Sequence, residues 1–198
     1  MLRIMKNKFY LFVGLILLAG CSADPALGPI ITVETAEVGA FPRTVELKVG
    51  EYDLMDLSGS SYLHDIDFRS IDGGNNVANY IINVSFDDNN SSNGDDSTTP
   101  IEFKNFTQSD FGDSGNGTKS LTLDFPFLEV VAAVGVASAD VLPGDRFQFT
   151  AELILDDGRV FTSANTESTI FGPAFRAFFD WNVNATCPLD NALFVGAY

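Results

Sequence analysis

Phe147-Gln148-Phe149-Thr150-Ala151-Glu152-Leu153-Ile154-Leu155, followed by Asp156-Asp157-Gly158 and then Arg159-Val160-Phe161-Thr162, is the stretch that decides the fold. Phe147, Phe149, Ala151, Leu153 and Leu155 recur at every second position, so in an extended chain they share one face. Gln148, Thr150 and Glu152 occupy the other face. A helix would scatter those five apolar residues around its circumference. Asp157-Gly158 supplies residues that tolerate positive φ, and the chain then returns through Val160 and Phe161. The stretch therefore predicts a β-hairpin with one buried side.

The same period extends outward along the chain. Thr44 to Val49 alternates and stops at Gly50. Tyr62, His64, Ile66 and Phe68 share a face opposite Asp65, Asp67 and Arg69. Tyr80, Ile82, Val84 and Phe86 do the same opposite Asn83 and Ser85. Ile101 and Phe103 alternate with Glu102 and Lys104, and Leu121, Leu123 and Phe125 with Thr122 and Asp124. Phe179, Trp181 and Val183 alternate with Asp180, Asn182 and Asn184. One segment breaks the pattern: Leu128, Val131, Ala132 and Gly135 fall at helical spacing behind Pro126, which suits a first helical position. Ser138-Ala139-Asp140 and Pro143-Gly144-Asp145 read as turns. About seven strands with turn signals between them predict an all-β fold. The expected form is an Ig-like or fibronectin-like antiparallel β-sandwich with one short helix.

The N-terminus carries a different signal. Arg3, Lys6 and Lys8 precede an apolar run from Phe9 to Leu18. That run is shorter than the roughly 20 residues a membrane-spanning helix needs. Leu17-Leu18-Ala19-Gly20-Cys21 closes it and resembles the lipobox of bacterial lipoproteins. The resemblance implies cleavage before Cys21 and a diacylglycerol on its sulfur. Residues 1–20 are then a signal peptide. Residues 21–38 are the lipidated Cys and a tether in which Pro25, Gly28 and Pro29 disfavour helix. Residues 39–190 are the sandwich. Asn191 to Tyr198 reads as a terminal strand or the start of a truncated second domain.

Composition narrows the partners. The chain has 198 residues, 18 of them Phe, and a net charge of −16. Cleavage would remove three cations and take that charge to −19. Such acidity argues against nucleic acid and against adhesion to anionic lipid. With Cys21 lipidated, Cys187 has no disulfide partner and reads as a small buried hydrophobe.

Further runs carry a second resemblance. Pro143-Gly144-Asp145-Arg146-Phe147, Asp157-Gly158-Arg159-Val160-Phe161-Thr162 and Asn184-Ala185-Thr186-Cys187-Pro188-Leu189 resemble a group of Bacteroidota (Flavobacteria-like) lipoproteins without an assigned activity. The likeness covers the last third of the domain and the lipobox. It implies a β-sandwich behind a lipid anchor at the outer membrane, on the cell surface or the periplasmic face.

Few residues point to chemistry. His64 is the only histidine. It shares a face with Ile66 and Phe68 and reads as a core-edge residue rather than a base. Hydrolases with a Ser or Cys nucleophile, and zinc sites, normally need more than that. The run from Asp87 to Asp96 has the composition of a calcium loop, with Asp87, Asp88, Asp95 and Asp96 as the candidate ligands for Ca²⁺. It fails the EF-hand template, because Pro100 stands where a bidentate Glu belongs. Asp110, Asp113 and Asn116 form a second such loop, and the two could share an ion if they emerged at one end. Asp96-Ser97-Thr98 resembles an O-glycosylation motif of exported Bacteroidota proteins, with Ser97 as acceptor. Tyr52, Tyr62, Phe175 and Phe178 are the aromatics available for stacking on sugars. The expectation is a non-catalytic binding or assembly module, accessory to glycan uptake, with an envelope protein or a glycan as partner. The alternatives are a structural spacer without a small ligand, and a glycoside hydrolase using two carboxylates.

Overall fold

The computed structural model describes residues 39–90 and 92–188. The signal peptide, Cys21, the tether and the run from Asn191 lie outside the described residues. The described chain is all-β with one short helix: β1 (Phe41–Val49), β2 (Glu51–Asp53), β3 (Ser61–Arg69), β4 (Val77–Asp87), β5 (Ile101–Thr107), β6 (Gly112–Asp113), β7 (Lys119–Pro126), α1 (Phe127–Val134), β8 (Arg146–Leu155), β9 (Val160–Phe161) and β10 (Asp180–Thr186). No helix among the described residues is long and apolar enough to cross a membrane.

The strands form two sheets. One has the order β1-β3-β7-β6; the other runs β2-β10-β8-β4-β5, with β9 paired to β8. The deciding stretch forms the expected hairpin, with Leu153 opposite Phe161 and Ile154 opposite Val160. Gly158 takes φ +84° in its turn. The return strand is only two residues long. Not every pairing is antiparallel, because β2 runs parallel to β10.

The alternating faces explain the core. Tyr62, Ile66 and Phe68 of β3, Tyr80, Ile82, Val84 and Phe86 of β4, and Phe147, Phe149, Ala151, Leu153 and Leu155 of β8 are buried. At the centre, cross-strand neighbours Tyr62 and Phe125 on one sheet face cross-strand neighbours Phe149 and Trp181 on the other. Phe149 stacks on Trp181 at 5.2 Å and on Phe125 at 5.5 Å. Tyr52 Oη donates to the Phe125 carbonyl at 3.0 Å, tying β2 to the opposite sheet.

Two elements differ from expectation. β1 alternates in sequence, yet Val45, Leu47 and Val49 are all exposed. Its register against β3 shifts between Thr44 and Glu46 and again between Leu47 and Val49. Bulges of this kind bend an edge strand and break its in-out alternation. In α1 the buried residues are Phe127, Val130 and Val131, and Leu128 faces solvent. Pro126 is its N-cap and Gly135, at φ +77°, its C-cap.

Two adjacent glycines, Gly73 and Gly74, are each required by both conformation and space. Gly73 sits at φ +61°, and a Cβ there would lie 2.3 Å from the Gly117 carbonyl oxygen. Gly73→Ala is expected to destabilise the fold by about 2 kcal/mol, read by urea unfolding. A change within error would contradict this packing of the 70–76 turn against the 114–118 turn.

Candidate functional site

The acidic run after β4 is a loop built from its own carboxylates. Asp87 accepts Nε of Arg146 at 2.6 Å and Nε2 of Gln148 at 3.0 Å. Asp88 closes the loop: Oδ1 accepts the Asn90 N–H at 3.1 Å and Oδ2 the Asp96 N–H at 3.0 Å. Asp95 Oδ1 accepts the Ser97 N–H at 3.1 Å. Hydrogen bonds from the Ser97 side chain and backbone hold the Asp95 carboxyl below its usual range. Ser97 is exposed, and its Oγ accepts the Asp88 N–H.

The loop is anchored by a residue that the sequence reading placed only in a turn. Asp145 is fully buried. Its Oδ1 accepts the N–H groups of Asn89 and Asn90 at 3.0 and 2.9 Å, and its Oδ2 that of Leu142 at 2.7 Å. Asn90 Nδ2 and Asn93 Nδ2 add bonds to the carbonyls of Pro143 and Asp140. One buried carboxylate thus joins the β4–β5 loop to the turn before β8.

The two acidic loops cannot share an ion. The first leaves β4–β5 beside the Val84–Ile101 pair, and the second lies beyond the Asn79–Thr107 pair at the opposite end. In the second loop Asp110 caps the Thr107 N–H and Asp113 pairs with Lys119. Among the described residues no three His, Cys, Asp or Glu side chains cluster in a way that would hold a metal ion.

His64 is interior. It is 2% exposed, with Nδ1 at 2.7 Å from Tyr62 Oη, the Phe178 ring at 4.2 Å, and Nε2 buried without a partner. Burial lowers its pKa from 6.5 to about 4, against a weaker opposing pull from Asp65. The unfolded chain takes up a proton near pH 6.5, while the folded one resists it until about pH 4. The unfolded state therefore binds more protons in that window, and stability falls as the pH falls through it. The melting temperature is expected to drop from pH 6.5 to 5, above most carboxylate titrations, and to drop less in His64→Leu. Parallel curves would contradict the buried neutral imidazole.

The remaining candidates resolve by burial. Tyr52 and Tyr62, expected on the surface, are buried in the core, which raises both phenol pKa values. Phe178 is half-buried against Trp181. Cys187, expected in the core, is exposed, because it follows the last β10 residue and no longer belongs to the strand's alternation. Another charged residue is buried in place of these. Asp67 accepts Nε and Nη2 of Arg43 at 2.8 and 2.6 Å and Nη2 of Arg69 at 2.9 Å. That triad lies on the outer side of β3 and fastens β1 to it.

Described residues also line two concavities. A cavity of about 220 Å³ is lined by Glu51, Asp53, Asp56, Ser60 and Leu63 among others. Asp53 and Asp56 each spend an oxygen on the backbone of the turn between β2 and β3. A groove of about 330 Å³ is lined by Ala40, Phe41, Phe161, Glu167 and Ile170 among others, and is mostly apolar. Beside it are Phe171 and Phe175, 39% and 49% exposed; Phe175 is among the aromatics expected at the surface, and Phe171, within no alternating run, carries no such signal. No family model matches the chain, and a search of curated proteins finds no match.

Proposed function

We propose that this chain is a lipid-anchored protein of the bacterial outer membrane, held by Cys21, whose folded part is a non-catalytic Ig-like sandwich serving assembly or spacing. The lipobox-like Leu17–Cys21 supports the anchor. The strand orders β1-β3-β7-β6 and β2-β10-β8-β4-β5 support the Ig-like reading. They correspond to the A-B-E-D sheet and the G-F-C-C′ sheet of such domains, with β2 as the first strand's continuation on the second sheet.

The single observation that carries the non-catalytic role is where the reactive and stacking side chains go. Tyr52, Tyr62, Tyr80 and His64 are interior, Trp181 is stacked within the ring column, Asp87 is committed to Arg146 and Gln148 of β8, and Asp88 and Asp95 are spent on their own loop. Among the described residues the rings left exposed are those of Phe171 and Phe175, and neither carries a reactive group. A glycan array and a calcium-dependent melting series on residues 22–198 test the reading. Neither is expected to respond. A sugar hit would favour the narrower role as an accessory to glycan uptake. A calcium-dependent rise in melting temperature that Asp88→Asn removes would replace the spacer with an ion-binding module.

A further inference from the structure

The turn from Ser168 to Arg176 carries features that the core explains only in part: Phe171 meets the buried Phe179 edge-on at 6.3 Å and still leaves 39% of its surface exposed. Phe171 ends a 3-10 turn over Ser168–Phe171, and Phe175 follows, edge-on to Phe41 at 6.4 Å. Arg176 is next and is the only non-glycine among the described residues at positive φ, +54°. That conformation favours glycine. Its backbone is used, since its carbonyl accepts the Thr44 N–H at 3.0 Å and its N–H donates to Gly172 at 2.8 Å. Any residue could make those bonds. Its side chain is exposed and, alone among the described lysines and arginines, forms no ion pair. In a chain of net charge −16, the described residues thus present one guanidinium without an ion pair, on strained backbone, beside two exposed phenylalanines.

Position identifies the occupant. The turn is bonded to the start of β1: Phe178 N–H donates to Pro42, and Ala177 bridges to Arg43. Gly39, Ala40 and Phe41 line the adjoining groove with Phe161 and Ile170. This is the end at which the chain enters the folded unit from its N-terminal side. Residues 22–38 separate Cys21 from Gly39, a length that reaches at most about 60 Å when fully extended. A domain so tethered has the bilayer as its constant neighbour at a high effective concentration. Apolar rings beside a cation match the lipid interface, where rings enter the acyl boundary and a guanidinium pairs with phosphate. Among the described residues Glu167 is the one carboxylate lining the groove, so a zwitterionic headgroup suits the patch better than an anionic one.

We infer that Phe171, Phe175 and Arg176 form a membrane-resting patch that seats the anchored domain, groove side down, on phospholipid headgroups. The inference rests on the lipid-anchor reading above. Lipidated protein carrying Ala174→Cys and Cys187→Ser, spin-labelled at position 174, is reconstituted into phosphatidylcholine–phosphatidylethanolamine vesicles and floated. The label is expected to gain oxygen accessibility and lose contact with a water-soluble nickel relaxant, while a label at Asn116 stays aqueous. Arg176→Gly, which relieves the backbone strain and so keeps the fold, is expected to return label 174 toward water with no loss of melting temperature. Phe175→Ser is expected to do the same. Floating protein with label 174 fully aqueous would overturn the patch and leave the anchor standing. Protein that does not float would overturn the anchor, and the patch with it. A dimer of residues 22–198 that shields label 174 without lipid would assign the surface to a second copy and overturn the inference.

Discussion

Phe149→Ala is expected to lower the unfolding free energy by about 4 kcal/mol, near the upper end of what one truncation does in a close-packed core. Phe149 is 1% exposed and sits between the sheets. Its ring contacts Tyr62 and Phe125 across the interface, Trp181 beside it and Phe103 toward the sheet edge. Removing it empties the middle of the ring column, and rings fixed by strand register cannot slide in to fill the gap. Guanidinium unfolding should show a lower midpoint with the slope unchanged. Phe175→Ala, at the exposed turn, should cost under about 1 kcal/mol in the same assay. Equal losses at the two positions would contradict the assignment of the core.

Asp145→Ala is expected to cost about 3 kcal/mol and to loosen the loop between β4 and β5 selectively. The substitution strands the backbone N–H groups of Asn89 and Leu142 and leaves that of Asn90 with Asp88 as its remaining acceptor. An unsatisfied buried donor costs about 1–3 kcal/mol. Asp145→Asn should recover little, because an amide turns two donors toward donors. Hydrogen exchange would locate the effect: the amides of Asn89 and Asn90 should lose protection well before those of β3 and β7. Uniform loss across both sheets would mean that Asp145 supports the core generally and does not pin that loop.

Much of this architecture was legible as period two. β3, β4, β7 and β8 each keep one face against the opposite sheet, so their inward residues, His64 apart, are apolar and the alternation is legible. β1 misled because its pattern is as regular as theirs; being an edge strand with two register shifts, it leaves Val45, Leu47 and Val49 outside. The parallel β2–β10 pairing joins residues more than 130 positions apart, and three residues of β2 carry no periodicity to read. Tyr52 was misplaced for the same reason: only the three-dimensional approach of the Phe125 carbonyl gives its hydroxyl a buried partner. Asp145 was visible as a turn residue, but nothing local shows that its acceptors serve amides 55 and 56 residues away. The acidic run looked like a ligand set because loop-closing carboxylates and ion ligands share a composition. Arg176 gave no sequence signal at all, since positive φ at a non-glycine is set by the surrounding turn.

The role proposed for the chain depends most on how its mature N-terminus is finished. Intact-mass and tryptic mass spectrometry of protein taken from membranes tests that directly. A chain that begins at Cys21 and carries a diacylglyceryl thioether is the expected result, with Cys21→Ser yielding only uncleaved or released protein. A retained leader, or a free thiol at Cys21, would contradict the anchor and the envelope role built on it.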